Sequence, residues 1–206
     1  MLYPAELRAR LRDQRILLPF ALQFECRKEL CQIATRGVAQ VHNARVEAIL
    51  FIGVQGSGKS SFYRERFADT HVRINLDMLR TRRREQILLA ACIDARQSFV
   101  IDNTNALEGD RARYIPLARA VGFRVIAYLF ETKLADAMRR NNRRFGKHKI
   151  PASAVAATFR KLQPPRWAEG FDEIYTVTLS SENIFRVERR NCEAHVRASE
   201  KHQQNR

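Results

Sequence analysis

Gly53-Val54-Gln55-Gly56-Ser57-Gly58-Lys59-Ser60 spells GxxxxGK[ST], the pattern of a phosphate-binding loop. Immediately upstream, Val46-Glu-Ala-Ile-Leu-Phe-Ile52 is a short apolar run that reads as a buried strand. Immediately downstream, Ser61 to Phe67 carries apolar residues at helical spacing. Strand, glycine turn and helix, in that order, are the context the chemistry needs. Glycines let successive backbone N–H groups converge on phosphate oxygens without side-chain clashes, and the helix N-terminus adds positive potential. Gly53, Gly56, Ser57, Gly58, Lys59, Ser60 and Ser61 are therefore the expected nucleotide-binding residues. Lys59 is expected to reach the β- and γ-phosphates, and Ser60 to ligate Mg²⁺. ATP and Mg²⁺ are the implied donor and metal.

The 206-residue chain is long enough for one α/β domain with a substantial core. No apolar run approaches the ~20 residues of a membrane span, and the first residues, MLYPAELRARLRDQR, lack the apolar core of a signal peptide. Cys26, Cys31, Cys92 and Cys192 form neither a CxxC pair nor a disulfide framework. Reduced thiols and a cytoplasmic location are expected, without a membrane partner. The formal charge of +15 points outward, to a polyanionic partner such as nucleic acid; a solubilising surface is the alternative.

The pattern divides the chain into a helical N-terminal extension (1–45), a core domain (46–180) and a polar C-terminal tail (181–206). Within the extension, 4–14 and 22–40 have helical spacing, broken near Pro19. Strands are expected at His71–Leu76, Ser98–Asp102, Phe123–Phe130 and Phe171–Leu179. Helices are expected from Met78 to about Arg96, from Glu108 to Val121, from Leu134 to Asn142, and from Pro151 onward. Strands alternating with helices imply a parallel sheet covered on both faces, with ligands beyond the strands' carboxyl ends. That rule gathers Gly53–Ser60, Asp77 and Asp102–Asn105 onto one edge.

Phosphoryl transfer to an alcohol needs a carboxylate to take the proton, cations to neutralise phosphate charge, and exclusion of water. Asp77, at a strand end, is the expected base, and Arg80 follows within one helical turn; a helix cap is the alternative for Asp77 and a solvated arginine for Arg80. Asp102 resembles a Walker-B carboxylate able to hold Mg²⁺ with Ser60, or else organises its own loop. The segment Arg139-Arg140-Asn-Asn-Arg143-Arg144-Phe-Gly146-Lys-His-Lys149 is the densest in positive charge and reads as a basic lid. Arg140 and Arg144 share a face if the helix persists; either they or Arg143 are the expected phosphate contacts.

GVQGSGKSSF, INLDMLR, IDNTN, RARYIPLARAVGF, NNRRFGKHKIP and FRKLQPPRWAEGF occur in an order that resembles the P-loop polynucleotide 5′-hydroxyl kinases, over roughly residues 46–175. The resemblance implies an α/β P-loop NTPase three-layer fold with a central parallel sheet and ATP-dependent phosphorylation of DNA or RNA 5′-OH ends. It carries the base onto Asp77, an acceptor 3′-phosphate contact onto Arg80, and the lid arginines onto Arg140 and Arg144. Leu76 stands where family members often have Arg, and there is no DxDxT phosphatase signature. Two other functions remain open: a kinase for a small metabolite, antibiotic or nucleotide-sugar, and a nucleic-acid-binding ATPase module.

Overall fold

The computed structural model describes residues 46–146, 149–180 and 183–191. The helices expected at 4–14 and 22–40 lie outside the described residues, as does the tail from 192. Strand β1 (Glu47–Ile52) is buried along its length after Glu47, and its alternation feeds two separate cores. Ala48, Leu50 and Ile52 face one side with Leu89, Ile115 and Ala118; Ile49 and Phe51 face the other with Phe62, Phe130 and Val177. A strand apolar on both faces can only sit in the middle of three layers.

Helix α1 (Lys59–Arg66) follows the phosphate loop, and β2 (Val72–Ile74) leads to α2 (Leu76–Leu79) and α3 (Arg82–Asp94). The single helix expected at 78–96 is thus two. Arg80 adopts the left-handed region (φ 67°) as the α2 cap, and Thr81 Oγ1 accepts from Arg84 N to start α3. Next come β3 (Phe99–Ile101), the short α4 (Glu108–Arg111) and α5 (Ile115–Ala120), then β4 (Arg124–Glu131). Helix α6 (Leu134–Asn142) and α7 (Ala152–Lys161) flank the basic segment, and β5 (Glu173–Leu179) and β6 (Phe185–Arg189) close the described chain.

The sheet order is β2-β3-β1-β4-β5-β6, with β6 alone antiparallel. Leu50 pairs with Ile101 and Ile101 with Ile74, so β3 and β2 end side by side and β1 runs two residues further. Gly53, Asp102 and Asn75 are the residues next to those ends. Strand β6 falls within the stretch expected to be a polar tail. Of its five residues only Phe185 is buried, on Phe62 at 5.1 Å between ring centroids; the other four are exposed, as on a charged sheet edge.

Beneath the site, Arg111 and Glu169 form a fork-to-fork ion pair at 2.6 and 2.8 Å, with both side chains almost wholly buried. The same guanidinium donates to the carbonyls of Asn105 (3.1 Å) and Gln163 (3.0 Å). RARY and AEGF, distant in sequence, therefore meet as one clamp under the β3 loop.

Candidate nucleotide and acceptor site

The phosphate loop is shaped by what lies against it. Gly56 has φ 78°, and a Cβ there would stand 2.5 Å from the Ala137 carbonyl of α6, so no other residue fits. Arg140, one turn along α6, donates from Nε to the Gly56 carbonyl at 2.6 Å and from Nη2 to Thr132. Lys59 lies under the loop, donating to the carbonyls of Gly53 (2.8 Å) and Val54 (2.6 Å). Burial lowers its pKa to about 8; Asp102 opposes that shift, Arg144 adds to it, and Asp77 opposes it. These three charged groups all act on one ammonium.

Ser60 Oγ donates to Asp102 Oδ2 at 3.0 Å. Two hard oxygens at that separation fit adjacent positions around Mg²⁺, whose remaining ligands would be phosphate and water. Asp102 does not organise its own loop: its carboxylate takes Ser60 and the guanidinium of Arg73, which sequence reasoning did not single out.

The turn carrying Asp77 is held by two asparagines. Asn75 is the helix cap, its Oδ1 accepting from Met78 N at 3.0 Å, while its Nδ2 donates to the Asp102 carbonyl. Asn103 Oδ1 accepts from Leu76 N at 2.9 Å. Asn103 is itself oriented from behind, its Nδ2 donating to Glu85 Oε1 at 2.8 Å. Glu85 is buried and also accepts from Tyr114 (3.0 Å) and Arg82 (2.7 Å). Burial, with the Glu85 charge, pushes the Tyr114 hydroxyl up to about 12. Asn105 Nδ2 donates to the Phe51 carbonyl of β1 at 2.8 Å, and the Thr104 carbonyl accepts from Gly53 N at 3.0 Å, so one side-chain bond and one backbone bond tie IDNTN to β1 and to the first residue of the phosphate loop. With Asn75 as cap, the Asp77 carboxylate is left exposed, without a hydrogen-bond or ion-pair partner among the described residues.

Two adjoining cavities, each of about 600 Å³, meet over this turn. One contains the phosphate loop from Gln55 to Ser61 with Arg73 and Asp102; the other is lined by Leu76, Arg80, Arg82, Asn105, Asp110 and Ile150. Gln55, Asp77, Asn103, Thr104 and Arg144 belong to both walls. The expected site residues therefore separate. Lys59, Ser60, Asp102, Asp77, Arg80 and Arg144 come together. Arg140 is engaged behind the loop, and Arg143, the cap of α6, lines neither cavity. Helix α6 stops at Asn142, so the shared face expected of Arg140 and Arg144 is not formed. Asn141 is buried and pins both ends of the basic loop, bonding Ile150 through N and O. Gly53, Ser57 and Gly58 complete the loop, Ser57 accepting from Lys59 at 3.4 Å.

Residues 81–165 match the family described as AAA domain. Similar solved structures include the AvrRxo1-ORF1:-ORF2 assembly with ATP (11% identity, 76% of this chain and 64% of that chain, TM-score 0.56). Others are a gluconokinase from Sinorhizobium meliloti 1021 (21%, 65% and 83%, TM-score 0.47) and Chaetomium thermophilum Kti12 in complex with ADP-AlF3 (16%, 64% and 88%, TM-score 0.47). At 11% identity the likeness to the AvrRxo1-ORF1:-ORF2 assembly is one of fold. The fold is α/β, a six-stranded, mostly parallel sheet flanked by helices, of the kind seen in P-loop NTPases. Among the described residues no helix is long and apolar enough to cross a membrane.

Proposed function

We propose that the protein is an ATP-dependent kinase whose acceptor is the 5′-hydroxyl of a polynucleotide. The observation that carries the reading is Asp77: a carboxylate without a partner among the described residues, on the wall shared by the phosphate-loop cavity and a second, arginine-rimmed one. The acceptor alcohol enters the second cavity and gives its proton to Asp77 as its oxygen bonds to the γ-phosphorus; the bond from that phosphorus to the bridging oxygen breaks, leaving ADP. Lys59 and the loop N–H groups bind the triphosphate, and Arg144, at the junction, neutralises charge on the transferred group. Ser60 and Asp102 would hold Mg²⁺, which when bound offsets charge on the phosphate oxygens.

Positive charge around the second cavity supports a polyanion as acceptor. Helix α3 begins Arg82-Arg83-Arg84 against the helix dipole, with Arg82 paired to Glu85 in the same first turn. Arg80, Arg82 and Arg144 line the second cavity, and Arg80 and Arg144 pair with no carboxylate among the described residues. These charges oppose local stability, and a phosphodiester backbone would offset them.

A second reading, a small-molecule kinase, draws support from the modest volume of the acceptor cavity and from Leu76 on its wall. The test is transfer of labelled γ-phosphate to 5′-OH DNA and RNA oligonucleotides across a salt series. Labelling that weakens steeply with salt is expected. Unlabelled oligonucleotides alongside a phosphorylated metabolite would overturn the polynucleotide reading.

A further inference from the structure

Arg73 is the middle residue of β2, fixed opposite Val100 in the ladder. Its guanidinium donates from Nε to Asp102 Oδ2 at 2.8 Å and from Nη2 to Ser60 Oγ at 3.0 Å, and Nη2 also meets Asp102 Oδ2. The Tyr63 ring lies 5.5 Å away, with its hydroxyl donating to the His71 carbonyl at 2.7 Å. Asp102 is sealed, its side chain 1% exposed, whereas Arg73 is 31% exposed and faces the phosphate-loop cavity. One end of this pair is anchored and the other has somewhere to go.

We propose that Arg73 is a built-in competitor for the divalent cation. Mg²⁺ bonds oxygen at about 2.0–2.1 Å, so an ion held by Ser60 Oγ and Asp102 Oδ2 would need the same oxygens that the guanidinium holds. Both cations cannot be there together, so metal entry requires Arg73 to swing away from Asp102 and Ser60 into the cavity. Two consequences follow. Metal binding by the protein alone is weak, because the ion must displace a tethered charge. Metal arriving with a nucleotide binds better, because the released guanidinium finds phosphate oxygens in the same cavity.

This inference rests on Ser60 and Asp102 as the metal's ligands, and the experiment separates the two ideas. Free Mn²⁺ is followed by electron paramagnetic resonance as it binds the full chain, with and without a non-hydrolysable ATP analogue. Without nucleotide, R73Q is expected to bind Mn²⁺ about tenfold or more tightly than wild type, the usual scale for removing a competing contact charge. R64Q removes an equal charge from the same cavity without touching Asp102 or Ser60, and is expected to shift affinity by no more than about twofold. R73K keeps a charge but loses the two-pronged grip; it serves if R73Q folds poorly, and its affinity is expected to fall between the two. With the analogue present, D102N is expected to weaken Mn²⁺ binding. If D102N weakens that complex while R73Q matches wild type or R64Q, the competitor proposal is overturned alone. If D102N changes nothing, the ligand assignment fails and the proposal with it.

Discussion

Two arginine–carboxylate pairs in this molecule look alike on paper and differ in kind. Arg111–Glu169 is sealed at both ends, and the arginine's spare N–H groups are taken by backbone carbonyls. Arg73–Asp102 is sealed only at the carboxylate, and its arginine opens onto a cavity. Asp77, a few residues from Arg73, has no such partner among the described residues. The lesson is that exposure of the cation separates a pair that holds a loop from one that can be exchanged. A carboxylate with no pair is left for chemistry.

Four measurements would break or sharpen that contrast. The largest effect belongs to the unpaired member: Asp77→Asn should cut phosphoryl transfer by about 10²–10⁴-fold while leaving nucleotide affinity and melting temperature unchanged, as for loss of a general base. A matching fall in stability would place Asp77 with the structural pairs. Next, Arg111→Ala should cost about 3–5 kcal/mol in denaturant unfolding, because Glu169 would be left buried and unpaired. The double change Arg111→Met with Glu169→Leu should recover much of that loss, and if it does not, the pair does more than hold two segments together.

Third comes pH. Lys59 is depressed by burial to about 8, well below its ordinary value of 10.5. Between those values the unfolded chain binds the proton and the folded one does not, so the Lys59 contribution to stability rises as pH rises through that window. Nucleotide affinity moves the opposite way, since triphosphate binding needs the ammonium; calorimetry should show roughly tenfold weaker ATP binding at pH 9 than at pH 7. Parallel trends would mean that Lys59 does not contact the donor. The smallest effect is Arg73→Gln, about 1 kcal/mol of stability by thermal melt, because Ser60 still donates to Asp102 and the glutamine amide keeps a donor beside it. A loss as large as that of Arg111 would erase the distinction.

Much of the fold was readable because local chemistry leaves few options. Gly56 needs its missing Cβ, and a strand with no polar face must be central. Asp77 was readable as a carboxylate following a strand. Arg73 was not, because a single arginine between Val72 and Ile74 reads as the wet side of a half-buried strand; its partners stand 13 and 29 residues away. The break at Arg80 has neither Gly nor Pro to announce it. RARY and the Glu of AEGF read as motifs of unknown use, since only the three-dimensional clamp explains an arginine that is almost wholly buried. Strand β6 escaped because one aromatic among charged residues carries too little periodicity to outweigh its polarity.

That aromatic has a consequence for how the protein is made. Phe185 Cε1 would lie 3.1 Å from a Cβ at Gly58, so the ring is seated against the turn that opens α1. A ribosome adding about 5–20 residues per second reaches codon 185 roughly 6–25 seconds after codon 58. Throughout that interval the turn has no ring to rest on, so a nascent chain should gain its grip on nucleotide late and abruptly, and chains trimmed ahead of Phe185 should never gain it.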